Sequence, residues 1–154
     1  MLYLIIKTLH ILSSTLLFGT GIGTACVMLY GHSTKDVRVI AATTRYVVLA
    51  DWVFTTSSGI LQPLTGFYLV YLAGFPWSSR WILWSIIGYA IAAVCWFPVV
   101  FLQMKMRDFA NQAARTNTPL PAMYFRYYNY WFCLGWPAFI SLVGVFYLMT
   151  AKPF

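Results

Sequence analysis

The residue best equipped for chemistry in this sequence is His10, which sits within a long apolar run. A neutral imidazole can ligate haem iron or another transition metal through one ring nitrogen while an acceptor holds the other. Lys7 lies one turn earlier, where its ammonium can meet a propionate or another anion. Lys7, His10, Ser14, Leu17 and Gly21 follow three- and four-residue steps, so they share one face of a helix. Asp51, Thr55, Ser58, Gln62 and Thr65 or Gly66 repeat that pattern further along. Two such stripes facing each other make a polar seam. Polar groups at membrane depth are either structural glue or part of a site, and each of these has both readings. His10 is a ligand or simply hydrogen-bonded to a neighbouring helix. Asp51 moves protons or is a helix-end carboxylate paired with Arg45 or Arg38. Gln62, beside Pro63, satisfies together with Ser58 the backbone carbonyl that the proline frees.

His32 cannot join His10 on one porphyrin, because about 30 Å separates them along a continuous helix at about 1.5 Å per residue. A haem at His10 is therefore five-coordinate, takes a methionine, lysine or water as sixth ligand, or lies between two copies of the chain. Other chemistries are short of residues. The acidic residues are Asp36, Asp51 and Asp108 alone, which provides no carboxylate cluster for a divalent cation and no paired-carboxylate hydrolase. Cys26, Cys95 and Cys133 lack a CxxC spacing and lie in apolar runs, as small packing residues do. The run Phe18 to Gly23 has glycines but no preceding strand, so Gly19 and Gly23 read as small residues for close helix approach rather than a dinucleotide loop. Met28, Met104 and Met106 are too scattered for a copper path, and Trp81, Trp84, Tyr89 and Trp96 read as packing and lipid contacts.

The elements that must position these residues are membrane helices. The chain has 154 residues, 61% hydrophobic and 8% charged, against about 25% charged in a soluble domain. A span needs about 20 apolar residues. Four fit, at about 3–30, 49–73, 81–104 and 131–151, which predicts an all-α four-transmembrane-helix bundle forming a single domain. Apolar Met1 to Ile6 precede Lys7, a pattern of a mature helix rather than a cleaved signal. The net charge of +7 sits in the breaks between spans and so gives no support for nucleic acid. The connections 31–48 and 105–130 hold Lys35, Arg38, Arg45, Lys105, Arg107, Arg115 and Arg126, whereas Lys7, Arg80 and Lys152 face the other side. That bias places both connections in the cytoplasm and both termini outside it. The third span is expected to continue as helix towards Arg115, with Thr116 to Pro121 breaking it and the aromatic run Tyr124 to Trp131 lying at the interface.

The stretches Lys7 to Gly21, Asp51 to Gly66 and Trp136 to Phe154 resemble an uncharacterised bacterial family of predicted integral membrane proteins with a KTLHILSATLLFGTG-like start. More distantly, Lys7, Thr8 and His10, then Arg45, Gly59 and Gly66, then Phe125, Arg126 and Asn129, and the ending Lys152, Pro153 and Phe154 resemble HemJ-type protoporphyrinogen oxidases. That resemblance implies haem b on the first-helix histidine. Trp81 to Ser85 stand where that group has a lysine, and Cys95 and Trp96 where it has a Tyr-His pair, which counts against protoporphyrinogen oxidation. The copper-resistance D membrane family is another distant likeness. The leading expectation is thus a HemJ-like protein of the bacterial inner membrane. Haem b sits near His10, Lys7 on a propionate and Ser14 against the porphyrin, and electrons pass to or from a membrane redox partner, a homo-oligomer being the other association expected. The competing expectation is a non-catalytic accessory or permeation protein whose seam is structural, with copper handling third.

Overall fold

Backbone groups in lipid must be satisfied within their own segment, so long apolar runs with short polar breaks make long helices. The computed structural model describes residues 1–153, which places Phe154 of the Lys-Pro-Phe ending outside the described residues. All regular structure among them is helical: α1 Leu2–Ser33, α2 Val37–Ala50, a π-helical segment Asp51–Thr55, α3 Thr56–Ala73, α4 Arg80–Thr116 and α5 Ala122–Ala151. The breaks use residues suited to them. Asp36 caps α2 by accepting from the backbone N–H of Arg38 and Val39. Gly74 ends α3 at φ 67 and Asn117 ends α4 at φ 51, left-handed conformations that glycine and asparagine adopt readily.

Helices α1, α4 and α5 are each long and apolar enough to cross a membrane. The 18-residue α3 is shorter and carries Thr56, Ser57, Ser58, Gln62 and Thr65, so it falls short of that mark by itself. It is nevertheless the continuation of α2, since the junctions at Asp51 and Thr56 keep helical dihedrals. Much of what reads as connections in the sequence is therefore helix. Residues 31–48 hold only a short turn at Thr34–Asp36, because the Asp36 cap starts α2 at once. Residues 105–130 are mostly the end of α4 and the start of α5, and the aromatic run from Tyr124 forms the first turns of α5.

Helix α1 packs on α2 and α3, α2 on α4, and α4 on α5. The larger core lies at the basic end, where Met28, Ile40, Val47, Met106, Tyr124 and Trp131 are buried together. At the other end Val70, Trp81 and Ile82 form a smaller cluster, roofed by the Lys152 ammonium 4.9 Å from the Phe75 ring centre and 5.3 Å from that of Trp81. Phe18 on α1 meets Phe139 and Phe146 on α5 at 5.5 and 5.2 Å between ring centres. The tightest glycine is Gly31, where a Cβ would run into the Thr43 side chain, followed by Gly88, where it would lie 2.8 Å from Val145 Cγ2. A Cβ at Gly19 or Gly23 would meet nothing within 4 Å, so the close approach expected there is not made within the chain. The α1–α2 turn brings Gly31 against Thr43 instead.

Candidate functional site

Thr65 joins the two stripes of the seam. Its hydroxyl donates to the Leu61 carbonyl one turn back, at 2.7 Å, as threonines inside helices do. In the arrangement that keeps that proton directed at Leu61, the Thr65 oxygen accepts from His10 Nδ1, 2.8 Å away, and Nδ1 carries the imidazole hydrogen. His10 Nε2 then holds a lone pair and accepts from the Gln62 side-chain amide at 3.1 Å. This orientation turns Gln62 Oε1 to Ser13, whose hydroxyl donates to it. One directed chain results, from Ser13 through Gln62 and His10 to Thr65 and the Leu61 carbonyl, each bond polarising the next. Gly66 lets α3 come this close: a Cβ there would sit 3.1 Å from His10 Cε1.

A second polar group lies towards the basic end of the bundle. Asp51 is 4% exposed and opens the π-helical segment, in which the Thr56 backbone N–H bonds the Asp51 carbonyl. The Asp51 carboxylate accepts from the Thr55 hydroxyl at 2.9 Å, and the side chains of Gln103 of α4 and Thr24 of α1 lie near it. Thr24 is about 21 Å from His10 along α1, so the two polar groups sit at different depths. Neither Arg45 nor Arg38 pairs with Asp51. Six residues at about 100° each put Arg45 about 120° round the helix from Asp51, and Arg45 is exposed. Arg38 donates to Asn117 at 3.3 Å, and the one ion pair among the described residues joins Arg107 to Asp108 at 2.8 Å.

Between these groups, Pro63 lacks the N–H that would bond the Gly59 carbonyl. The Tyr89 hydroxyl of α4 donates to that carbonyl across the bundle. Ser58 and Gln62, the nearer candidates in sequence, are engaged with Phe54 and with the His10 chain.

The structure thus brings His10 together with Gln62 and Thr65, and Asp51 with Thr55, on the faces that the spacing marks. Ser14 is not in the seam: its hydroxyl turns back to the Ile11 carbonyl at 2.8 Å, while buried Ser13 points inward. Lys7 is exposed, its ammonium 6.0 Å from the Tyr3 ring centre. His32 ends α1 stacked on Tyr128, 3.7 Å between ring centres and far from His10. Ser13 and Tyr89 are partners the sequence stripes do not include, and Thr24 and Gln103, near Asp51, also lie outside them. Thr24 was readable, as one more step after Gly21 on the same helical row.

A haem would find one suitable donor here. Neutral imidazole with its Nδ1–H held by an acceptor is the form that ligates iron through Nε2. Gln62 now occupies that lone pair and must turn aside for ligation. No group of three His, Cys, Asp or Glu side chains converges among the described residues, so the fit is that of a single axial ligand and not of a many-donor metal site.

A family model described as "Predicted integral membrane protein (DUF2269)" matches residues 4–153. The chain belongs to this family. No curated protein and no solved structure matches it. The membership carries the lipid bilayer with it, in keeping with the three apolar helices.

Proposed function

We propose that this chain is a four-crossing inner-membrane protein of the HemJ-like kind, in which His10 Nε2 would hold the iron of a haem b used in membrane redox chemistry. The observation that carries this reading is the His10 Nδ1 contact with Thr65 Oγ1, whose hydroxyl also reaches the Leu61 carbonyl, an arrangement suited to a neutral imidazole with Nδ1–H held and the lone pair on Nε2. The second span is the continuous helix of α2, the π-helical segment and α3. The seven basic residues at one end then face the cytoplasm, and both termini the other side. Lys7, one turn outside His10, is the partner for a propionate. Haem supplies one-electron transfer when bound. The residues of the chain orient the imidazole, and Gln62 turns its amide towards Ser13 and away from Nε2.

The decisive measurement is the visible spectrum of detergent-purified protein from haem-replete cells, with and without dithionite. A Soret band that is lost in His10→Ala and shifted in Thr65→Val supports the reading. No Soret band, with His10→Ala indistinguishable from the parent, refutes it. A second reading has its own support. The chain from Ser13 to Leu61 is complete without any ligand, as expected of structural glue in an accessory or permeation protein. In that case Gln62→Leu disturbs folding or assembly, and the protein is colourless. Copper handling requires stoichiometric metal in the purified protein, with donors from a second copy or a methionine beside His10.

A further inference from the structure

Three arginines converge at the basic end of the bundle with no acid to meet them. Arg38, Arg45 and Arg115, with Asn111 and Asn117, line an open groove of about 330 Å³ between α2 and the end of α4, floored by Ala41 and Ala114. The three aspartates are engaged elsewhere. Asp36 caps α2, Asp51 is buried in the seam, and Asp108 is held by Arg107. The guanidinium groups therefore lack an internal counter-charge, and planar donors of this kind match the paired oxygens of a phosphate.

The surface below the groove changes character along one helical row. Arg38, Ala42, Arg45, Leu49 and Trp52 are all exposed and follow steps of four and three, so they form one stripe down α2 into the π-helical segment. It is basic at its outer turns and apolar at its inner ones, where Leu49 is 62% and Trp52 53% exposed. Arg45 and Trp52 are about 10 Å apart along the axis, and tryptophan prefers the layer where headgroups meet acyl chains. A soluble phosphate would use only the upper half of such a stripe.

We propose that this groove binds the phosphate headgroup of an anionic phospholipid, with Arg38, Arg45 and Arg115 on the phosphate and an acyl chain lying along Leu49 and Trp52. Basic pockets between membrane helices hold anionic headgroups at about 1 kcal/mol per basic residue, about fivefold in affinity for each.

The test titrates the purified full chain, in a neutral detergent, with phosphatidylglycerol, phosphatidylcholine or inorganic phosphate, reading thermal unfolding and the lipids retained in native mass spectrometry. Phosphatidylglycerol is expected to stabilise the protein and remain bound through detergent exchange, where phosphatidylcholine does neither. Each of Arg38→Gln, Arg45→Gln and Arg115→Gln should weaken its binding about fivefold, and the triple variant about a hundredfold. Arg126→Gln, outside the groove, should leave it unchanged. Trp52→Ala should shorten lipid retention without affecting any response to inorganic phosphate. The proposal is overturned if phosphatidylglycerol and phosphatidylcholine behave alike, if the arginine variants bind as the parent does, or if inorganic phosphate displaces the lipid at similar concentration. Should the triple variant fail to fold, the exposed single variants decide the matter.

Discussion

The Tyr89 to Gly59 hydrogen bond should depend on Pro63, and a double-mutant cycle can measure that dependence. Tyr89→Phe removes the hydroxyl and leaves the Gly59 carbonyl, already deprived of its helical N–H, without a donor at membrane depth. Hydrogen bonds between membrane helices average about 0.6 and reach about 1.7 kcal/mol, while a buried carbonyl left unsatisfied costs about 1–3 kcal/mol. Tyr89→Phe should therefore destabilise the parent by about 1.5 kcal/mol, near the upper end of the first range. Pro63→Ala restores an N–H four residues after Gly59, so the carbonyl regains a partner within its own helix. In that background Tyr89→Phe should cost about 0.5 kcal/mol or less, the ordinary value of a satisfied site losing one bond. The coupling of about 1 kcal/mol is well resolved by unfolding in mixed micelles followed by circular dichroism. Additive effects, or a larger loss for Tyr89→Phe in the Pro63→Ala background, would refute the assignment of Tyr89 as the donor that replaces the missing backbone bond.

Further expectations concern the packing and the second polar group. Gly31→Ala should destabilise by about 1–3 kcal/mol through overpacking against Thr43, whereas Gly19→Ala, with open space at its Cβ, should be neutral or stabilise by up to about 1 kcal/mol through helix propensity; both are read from the same unfolding curves. Asp51→Asn should leave stability unchanged or raise it, because it removes a charge whose burial costs a few kcal/mol and its amide can serve Gln103 Oε1, which has no partner. Asp51→Leu should lose about 1–3 kcal/mol, as Thr55 forfeits its acceptor; equal losses for the two variants would contradict this account. Asp36→Ala should weaken the start of α2 by about 1 kcal/mol, visible as faster amide exchange at Arg38 and Val39.

Local pattern carried the sequence reading as far as it went. Three- and four-residue spacing marked the faces of His10 on α1 and of Asp51, Thr55, Ser58, Gln62 and Thr65 on the π-helical segment and α3, because helical periodicity fixes which residues share a side before any partner is known. The same spacing left a one-residue ambiguity at Ser13 and Ser14. Both lie within reach of the His10 face, and only the position of Gln62 on α3 selects Ser13. Asp51 shows the opposite limit. Nearness in sequence pointed to Arg45, yet a helix running straight through the junction turns Arg45 away, and the hydroxyl that meets the carboxylate is that of Thr55, one turn ahead.

Membrane residence, helical class and the identity of the few polar side chains were all set by composition and period, since a bilayer offers so few ways to satisfy a backbone. Tertiary packing alone decided which side chains the two nitrogens of His10 meet, which hydroxyl replaces the bond lost at Pro63, and that Arg38, Arg45 and Arg115 share one groove. Each of these depends on distances between helices, and residues distant in the chain acquire such distances only when the helices pack.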